Sequence, residues 1–241
     1  DDQIGDVMDE LERQGVRENT LVLFLSDNGP SRQSRNWLDG SLDWYYGGSS
    51  GGFTGHKFSL FEGGIRVPAI VSWPARIPAG QVVDGLALGM DVFPTVLDAA
   101  GGDASAYALD GQDLLPMLAG GAASPHADED VFWEMGVQTA VRRGRWKLVL
   151  DGLLIDDLPQ RDPVHLSDVV ADVAERHNLA AENPELVADL RASAERWRAG
   201  IEQRWEREHA ARMVGENAFA VTDSSGLKVY DNPNNPAIGD T

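Results

Sequence analysis

The chain contains no cysteine. That absence excludes disulfides, thiolate metal sites and a cysteine nucleophile together, though it does not fix a compartment. Basic residues are scarce: 20 Lys and Arg stand against 39 Asp and Glu, a formal charge of −19. The acids are spread out, with 17 acids and 7 bases through Gly120 and 22 and 13 beyond it, so there is neither an acidic tail nor a basic stripe. Non-specific nucleic-acid binding needs clustered cations against phosphates, so nucleic acid is not expected as a partner. An anionic membrane surface would repel such a chain. No apolar run approaches the ~20 residues of a membrane-spanning helix. The first residues, Asp1-Asp2-Gln3, offer no Met, no basic start and no apolar stretch. They do not read as a signal peptide; they read as the interior of a longer protein.

What is present is ordinary for a globular protein. Its 241 residues allow one large or two small domains. Hydrophobic content is 42% and charged content 24%, which argues against disorder. A chain of this size buries roughly 70–75% of its unfolded surface.

Periodicity sets the architecture. Ile4, Val7, Met8 and Leu11 form one apolar stripe at helical spacing, with Gly15 as a stop. The run Leu21-Val22-Leu23-Phe24-Leu25 is continuous rather than alternating, as in a strand of a parallel sheet. Residues 26–55 read as a long loop, 67–73 as a second strand and 91–100 as a short helix, with another turn or two within 109–118. Beyond a linker near Gly120-Gly121, segments 131–135, 137–142 and 146–150 read as short antiparallel strands, with a hairpin turn at Arg143-Gly144. Residues 184–207 form one long amphipathic helix opened by Pro184. The fold class is therefore α/β. Its expected divisions are an α/β part over 1–120, a small α+β subdomain over 121–210 and an extended polar tail over 211–241.

Chemistry is expected at two places. Asp27-Asn28-Gly29 follows the first strand directly, where ligands of open α/β sheets collect. A carboxylate and an amide oxygen suit Ca2+ or Mg2+, although the same residues also make plain turns. The second place is Gly55-His56-Lys57 with Glu62-Gly63-Gly64-Ile65-Arg66-Val67-Pro68. Lys57 places a point charge for an anion, and the paired glycines allow close backbone approach. Glu62 and Arg66, four apart, read as a structural ion pair.

Taken in order, the apolar strand, Ser26-Asp27-Asn28-Gly29, the glycine-rich loop, Gly55-His56-Lys57, the Glu62 to Pro68 motif and Trp73-Pro74 resemble the sulfatase family of the alkaline-phosphatase-like superfamily. Val92-Phe93-Pro94-Thr95, Leu109-Asp110-Gly111, Trp146-Lys147-Leu148 and Glu175-Arg176-His177-Asn178-Leu179 extend the resemblance to about residue 200. It implies part of a mostly parallel sheet flanked by helices, then a small antiparallel sheet and a long helix. It implies hydrolysis of sulfate esters with a divalent metal, Ca2+ or Mg2+, and a formylglycine. By position, Asp27 and Asn28 match two metal ligands, Lys57 matches the catalytic lysine that binds the sulfate and helps the leaving oxygen, and His56 of the same motif is a second substrate-binding candidate. A secreted or periplasmic location is common in the family, and nothing here fixes localisation or oligomeric state.

The formylglycine motif itself, Cys or Ser followed by x-Pro/Ala-x-Arg, does not precede these residues. Ser72-Trp73-Pro74-Ala75-Arg76 fits its Ser form but follows the metal-type motif, and reads as a strand end. The expectation is a C-terminal sulfatase portion, inactive alone, whose nucleophile lies in a missing N-terminal portion. Its substrate would be a sulfate ester of a small molecule or a carbohydrate. A phosphonate monoester or phosphodiester hydrolase of the same superfamily, or a non-catalytic binding module with an incomplete site, are the alternatives. Trp37, Trp44, Tyr45 and Tyr46 either line a substrate pocket or pack their loop onto the body.

Overall fold

A computed structural model describes residues 1–33, 45–154, 162–210, 221–222 and 228–229. Two compact units divide the chain, Asp1–Arg191 and Ala192–Thr241.

The first unit opens with α1, Asp2–Arg13, which Gly15 terminates at φ 68°. Strand β1 is Val22–Leu25, and the two-residue strands β2, Arg32–Gln33, and β3, Tyr45–Tyr46, pair antiparallel after it. A single helical turn, α2, Glu62–Ile65, precedes β4, Ala69–Ser72. Pro68 fixes where that strand begins, since proline donates nothing to a ladder. β1 and β4 pair antiparallel, Val22 opposite Ser72 and Leu25 opposite Ala69. The continuous apolar run is thus a strand, as its composition predicts, but its pairing with β4 is antiparallel where a parallel neighbour was expected, and no element among the described residues covers both its faces. Phe24, Leu25 and Ile70 stay exposed, at 49%, 41% and 62%.

Helices α3, Val92–Ala99, and α4, Leu115–Leu118, follow. Trp73, Ile77 and Leu115 form one buried cluster with Val71 and Leu118 against it. Polar ties brace this region. The buried carboxylate of Asp91 accepts from the backbone of Leu88 at 2.7 Å and Gln112 at 2.8 Å, and meets His126 Nε2 at 2.9 Å. One carboxylate thereby gathers three separate segments.

The second half of this unit is a four-stranded antiparallel meander: β5, Asp130–Met135, β6, Gln138–Arg143, β7, Trp146–Leu150, and β8, Val164–Asp168. Glycines at φ 57° and 55°, Gly136 and Gly144, open its two-residue turns. The register puts Trp133, Ala140, Val149 and His165 in one row. Alternation places Gln138 and Lys147 on the same face. That face carries the loop that follows Lys57: Leu60 and Phe61 bury themselves against Ala140 and Val149, and the Phe61 ring meets His165 edge-on at 5.2 Å. On the other face, Arg143 donates to Asp130 at 2.6 Å and to Asp189 at 2.5 Å. Asp189 belongs to α5, Pro184–Ala210, which runs from the first unit into the second.

Within the second unit, β9, Val221–Thr222, and β10, Lys228–Val229, pair antiparallel. The remainder of the polar tail read at 211–241 lies outside the described residues. Strand β8 and turn α2 were not legible in the sequence. Val164-His165-Leu166-Ser167-Asp168 carries a histidine and two polar residues that the sheet buries, and α2 holds two glycines.

The apolar stripe of α1 also stays open to solvent, with no residue of the helix buried. Gly5 lies in this helix, and a Cβ there would meet nothing within 4 Å. Gly5→Ala is therefore expected to stabilise the protein by about 0.5–1 kcal/mol through helix propensity. Urea unfolding checks this; an unchanged or lower midpoint would contradict it.

Candidate active site

The site is assembled by backbone contact between three glycine-bearing segments. Gly29 N–H donates to Gly64 O at 2.8 Å, Gly63 N–H to Thr54 O at 2.7 Å, and Lys57 N–H to Pro30 O at 3.0 Å. A Cβ on Gly29 would lie 1.8 Å from Gly63 O, one on Gly63 2.3 Å from Gly55 O, and one on Gly64 2.0 Å from Ser59 O. These spacings admit hydrogen only. The glycines of the Asp-Asn-Gly, Gly-His-Lys and Glu-Gly-Gly strings thus exist because the three segments stack without side chains between them.

This stacking brings the expected residues to one cavity of about 790 Å3 at the end of β1. Asp27, Asn28, Ser31, Phe53, Lys57 and Arg66 contribute to its wall. Asp27 is exposed, and its Oδ1 accepts the Asn28 N–H at 3.0 Å. The Lys57 ammonium lies 5.5 Å from the Phe58 ring centre. His56 does not line the cavity; it is buried at 7% exposure behind its neighbour. The alternative nucleophile string lies elsewhere: Ser72 sits in β4, hydrogen-bonded by Arg17 and outside the cavity wall. Trp37 and Trp44 lie outside the described residues, as do the side chains of Tyr45 and Tyr46.

The meander fixes the lysine loop from beneath. Phe58, next to Lys57, holds a left-handed φ of 75°, a conformation that persists only where the surroundings impose it. The buried Gln138 imposes it. Its Nε2 donates to Phe58 O at 2.7 Å, and its Oε1 accepts from Leu60 at 3.2 Å and Leu153 at 2.9 Å.

A second buried device holds α2. Lys147 is fully buried and pairs with Glu62 at 2.9 Å and Glu175 at 3.1 Å. Glu175 also accepts the Glu62 N–H at 2.5 Å. Burial pushes the Glu62 carboxyl up, but the Lys147 charge and hydrogen bond, with Arg142 and Arg66, hold it below the ordinary range. For Glu175 burial prevails over Lys147, and its carboxyl stays raised. Sequence reasoning missed Gln138, Lys147 and Glu175 as supports of the site, because a buried charge carries no signal in composition. Only the motifs that contain Lys147 and Glu175 hinted at them.

Asp27 and Asn28 offer adjacent hard oxygen donors on a solvent-facing turn, the chemistry a Ca2+ or Mg2+ ion selects. Two such side chains supply two or three of the 6–8 oxygens that Ca2+ takes. No group of three or more acidic or histidine ligands lies together among the described residues. The pair fits part of a metal site and needs further ligands.

Known proteins resemble this chain in sequence and in fold. The sulfatase family model matches residues 1–102. Those residues are similar in sequence to sulfatases. N-acetylgalactosamine-6-sulfatase of Canis lupus familiaris is 40% identical over 149 residues, covering 61% of this chain and 26% of that protein. The solved structure of Ps i-CgsB in complex with k-i-k-neocarrahexaose superposes with a TM-score of 0.65 at 26% identity, over 80% of this chain and 40% of that one. PsFucS1 sulfatase from Pseudoalteromonas sp. superposes with a TM-score of 0.60 at 25% identity, over 87% and 40%. The chain thus shares the mixed α/β fold of these sulfatase structures, and it spans about a quarter of the curated relative and two fifths of the solved ones.

Proposed function

We propose that this chain is the C-terminal part of a sulfatase. The enzyme hydrolyses sulfate esters with a divalent cation, Ca2+ or Mg2+, and with a formylglycine supplied by an N-terminal portion. The observation that supports it is the convergence of Asp27, Asn28 and Lys57, separated by some thirty positions, on one cavity wall. The exposed apolar side chains of α1, β1 and β4 support the second half of the reading, since such surface is normally covered.

In this reading Asp27 and Asn28 hold the cation through their side-chain oxygens, and the cation offsets charge on the sulfate when bound. Lys57 binds a sulfate oxygen by charge and hydrogen bond, and its ammonium stabilises the leaving ester oxygen as the S–O bond breaks. The glycine stack and Gln138 keep these groups in register, so that little reorganisation is needed during the reaction. His56 acts by packing behind Lys57. The substrate is a sulfate ester of a small molecule or carbohydrate, as the names of the relatives suggest for those proteins.

Two measurements test the reading. The chain alone is expected to show no turnover of 4-nitrophenyl sulfate. Joined to a formylglycine-bearing sulfatase N-terminal portion it is expected to turn over, and Lys57→Ala in that protein to lower kcat about 100–1000-fold. Hydrolysis by the chain alone, or an unchanged kcat for Lys57→Ala, would overturn it. A higher kcat/KM on the matching phosphate monoester or phosphodiester would move the assignment to a phosphoryl hydrolase.

A further inference from the structure

Three charged side chains line the cavity among the described residues: Asp27, Lys57 and Arg66. The proposed function uses the first two. Arg66 was expected from its spacing to be one half of a structural ion pair with Glu62, and the geometry shows that this pairing uses little of it. Its Nη1 reaches Glu62 Oε2 at 3.4 Å, a long contact, and its side chain is 47% exposed. Glu62 itself is 3% exposed, and its other oxygen is taken by Lys147 at 2.9 Å. The negative charge beside Arg66 is therefore shared with a buried ammonium and does not neutralise the guanidinium.

A guanidinium presents five N–H donors in a rigid fork. Among the described residues, only one of the five is engaged. The guanidinium is nevertheless held in place by a cation–π contact, because the Phe53 ring, also in the cavity wall, lies 5.2 Å from its carbon. A cation–π contact restrains the arginine while leaving its N–H donors available. A restrained, largely unsatisfied guanidinium is a receptor for the paired oxygens of a carboxylate or sulfate. The chain as a whole, at −19, repels anions, so any attraction for a second negative charge has to be local.

We propose that Arg66 binds a second anionic group, a carboxylate or another sulfate, carried by the organic part of the ester. Resting on the sulfatase reading, this makes the preferred substrate class dianionic: an acidic or multiply sulfated ester rather than a neutral alcohol sulfate. Lys57 takes the sulfate that is cleaved and Arg66 takes the charge that stays with the leaving group. No bond is made or broken at Arg66; it sets specificity.

The test uses the chain as it stands with two sulfonates that cannot be hydrolysed, benzenesulfonate and 4-sulfobenzoate, in titrations followed by 1H–15N NMR. The wild type is expected to bind 4-sulfobenzoate about tenfold more tightly, with resonances of Asn28, Lys57 and Arg66 shifting. Arg66→Gln is expected to bring the ratio of the two affinities to about one, and Arg66→Lys to leave an intermediate ratio, since lysine keeps the charge without the fork. If the wild type binds benzenesulfonate at Lys57 but shows no preference for the dianion, or if Arg66→Gln keeps the preference, the role of Arg66 falls while the sulfatase reading stands. If neither sulfonate shifts Asn28, Lys57 or Arg66, the role of Arg66 falls, while the sulfatase reading is decided by the turnover measurement on the joined protein.

Discussion

Lys147→Met is expected to destabilise the protein by about 3–5 kcal/mol, the cost of leaving buried charge unpaired. Two glutamates face this one ammonium, at 2.9 and 3.1 Å, and all three side chains are 3% exposed or less. Neither carboxylate has water to fall back on. A methionine fills the volume but supplies no donor. Urea unfolding of the variant at neutral pH checks the magnitude, and a loss below about 1 kcal/mol would mean the trio is not the brace described. The triple variant Lys147→Met, Glu62→Gln, Glu175→Gln is expected to recover much of the loss, because no buried charge is then left without its partner.

The two glutamates give this region opposite pH dependences. Glu62 is lowered, so its contribution is present above the ordinary glutamate value of 4.5 and is lost as pH falls through its folded value. Glu175 is raised, so its contribution is complete below 4.5 and is lost as pH rises through its folded value. Glu175→Gln keeps an oxygen to accept the Glu62 N–H and removes that second loss. The variant is expected to gain on the wild type as pH increases from 4 to 8. Urea midpoints across that range decide it; curves that stay parallel would contradict the raised Glu175.

How much of this could be read from the sequence depended on what each segment rests against. Segments whose character is local were legible. The stripe of α1, the turn at Gly144 and the proline-opened α5 all formed where periodicity, glycine and proline place them. That Asp27, Asn28 and Lys57 come to one cavity was legible for another reason: their strings carry glycines that allow close backbone approach, and the stack of Gly29, Gly63 and Gly64 uses it. Residues whose role depends on distant burial were not. Gln138 is a polar residue opening an apolar strand, and nothing nearby announces that its amide holds Phe58, 80 positions away. Arg66 at i+4 from Glu62 looks like half of an ordinary helix pair, until Lys147 from a different sheet takes the other glutamate oxygen. The burial pattern of β1 also depended on what lies beyond it. A continuous apolar strand is built to be covered, and Phe24 and Leu25 are not covered by any described residue.

The glycine stack carries the second large effect. Gly29→Ala places a methyl 1.8 Å from Gly63 O and 2.8 Å from Gly63 C. Both are backbone atoms of a segment that is itself pinned, by Gly63 N–H on Thr54 O at 2.7 Å and by Thr54 Oγ1 on Ala174 O at 2.5 Å. A flexible side chain could swing aside; this backbone has to separate from its neighbour and break the 2.8 Å bond from Gly29 to Gly64. The cost is therefore expected at or above the upper end of the usual overpacking range, about 3 kcal/mol. The chemistry suffers separately. Asp27 and Asn28 immediately precede the displaced residue, while Lys57 is held by Pro30 and Gln138-bound neighbours on the other side. Even under conditions where Gly29→Ala is folded by circular dichroism, its affinity for benzenesulfonate in the presence of Ca2+ is expected to fall at least about tenfold, because a displacement near 1 Å is enough to misalign converging groups. Gly5→Ala, which adds the same methyl in open space, serves as the reference for the substitution itself. A Gly29→Ala protein as stable as the wild type within about 0.5 kcal/mol would show that the three segments are not in backbone contact, and the convergence of Asp27, Asn28 and Lys57 would lose its structural cause.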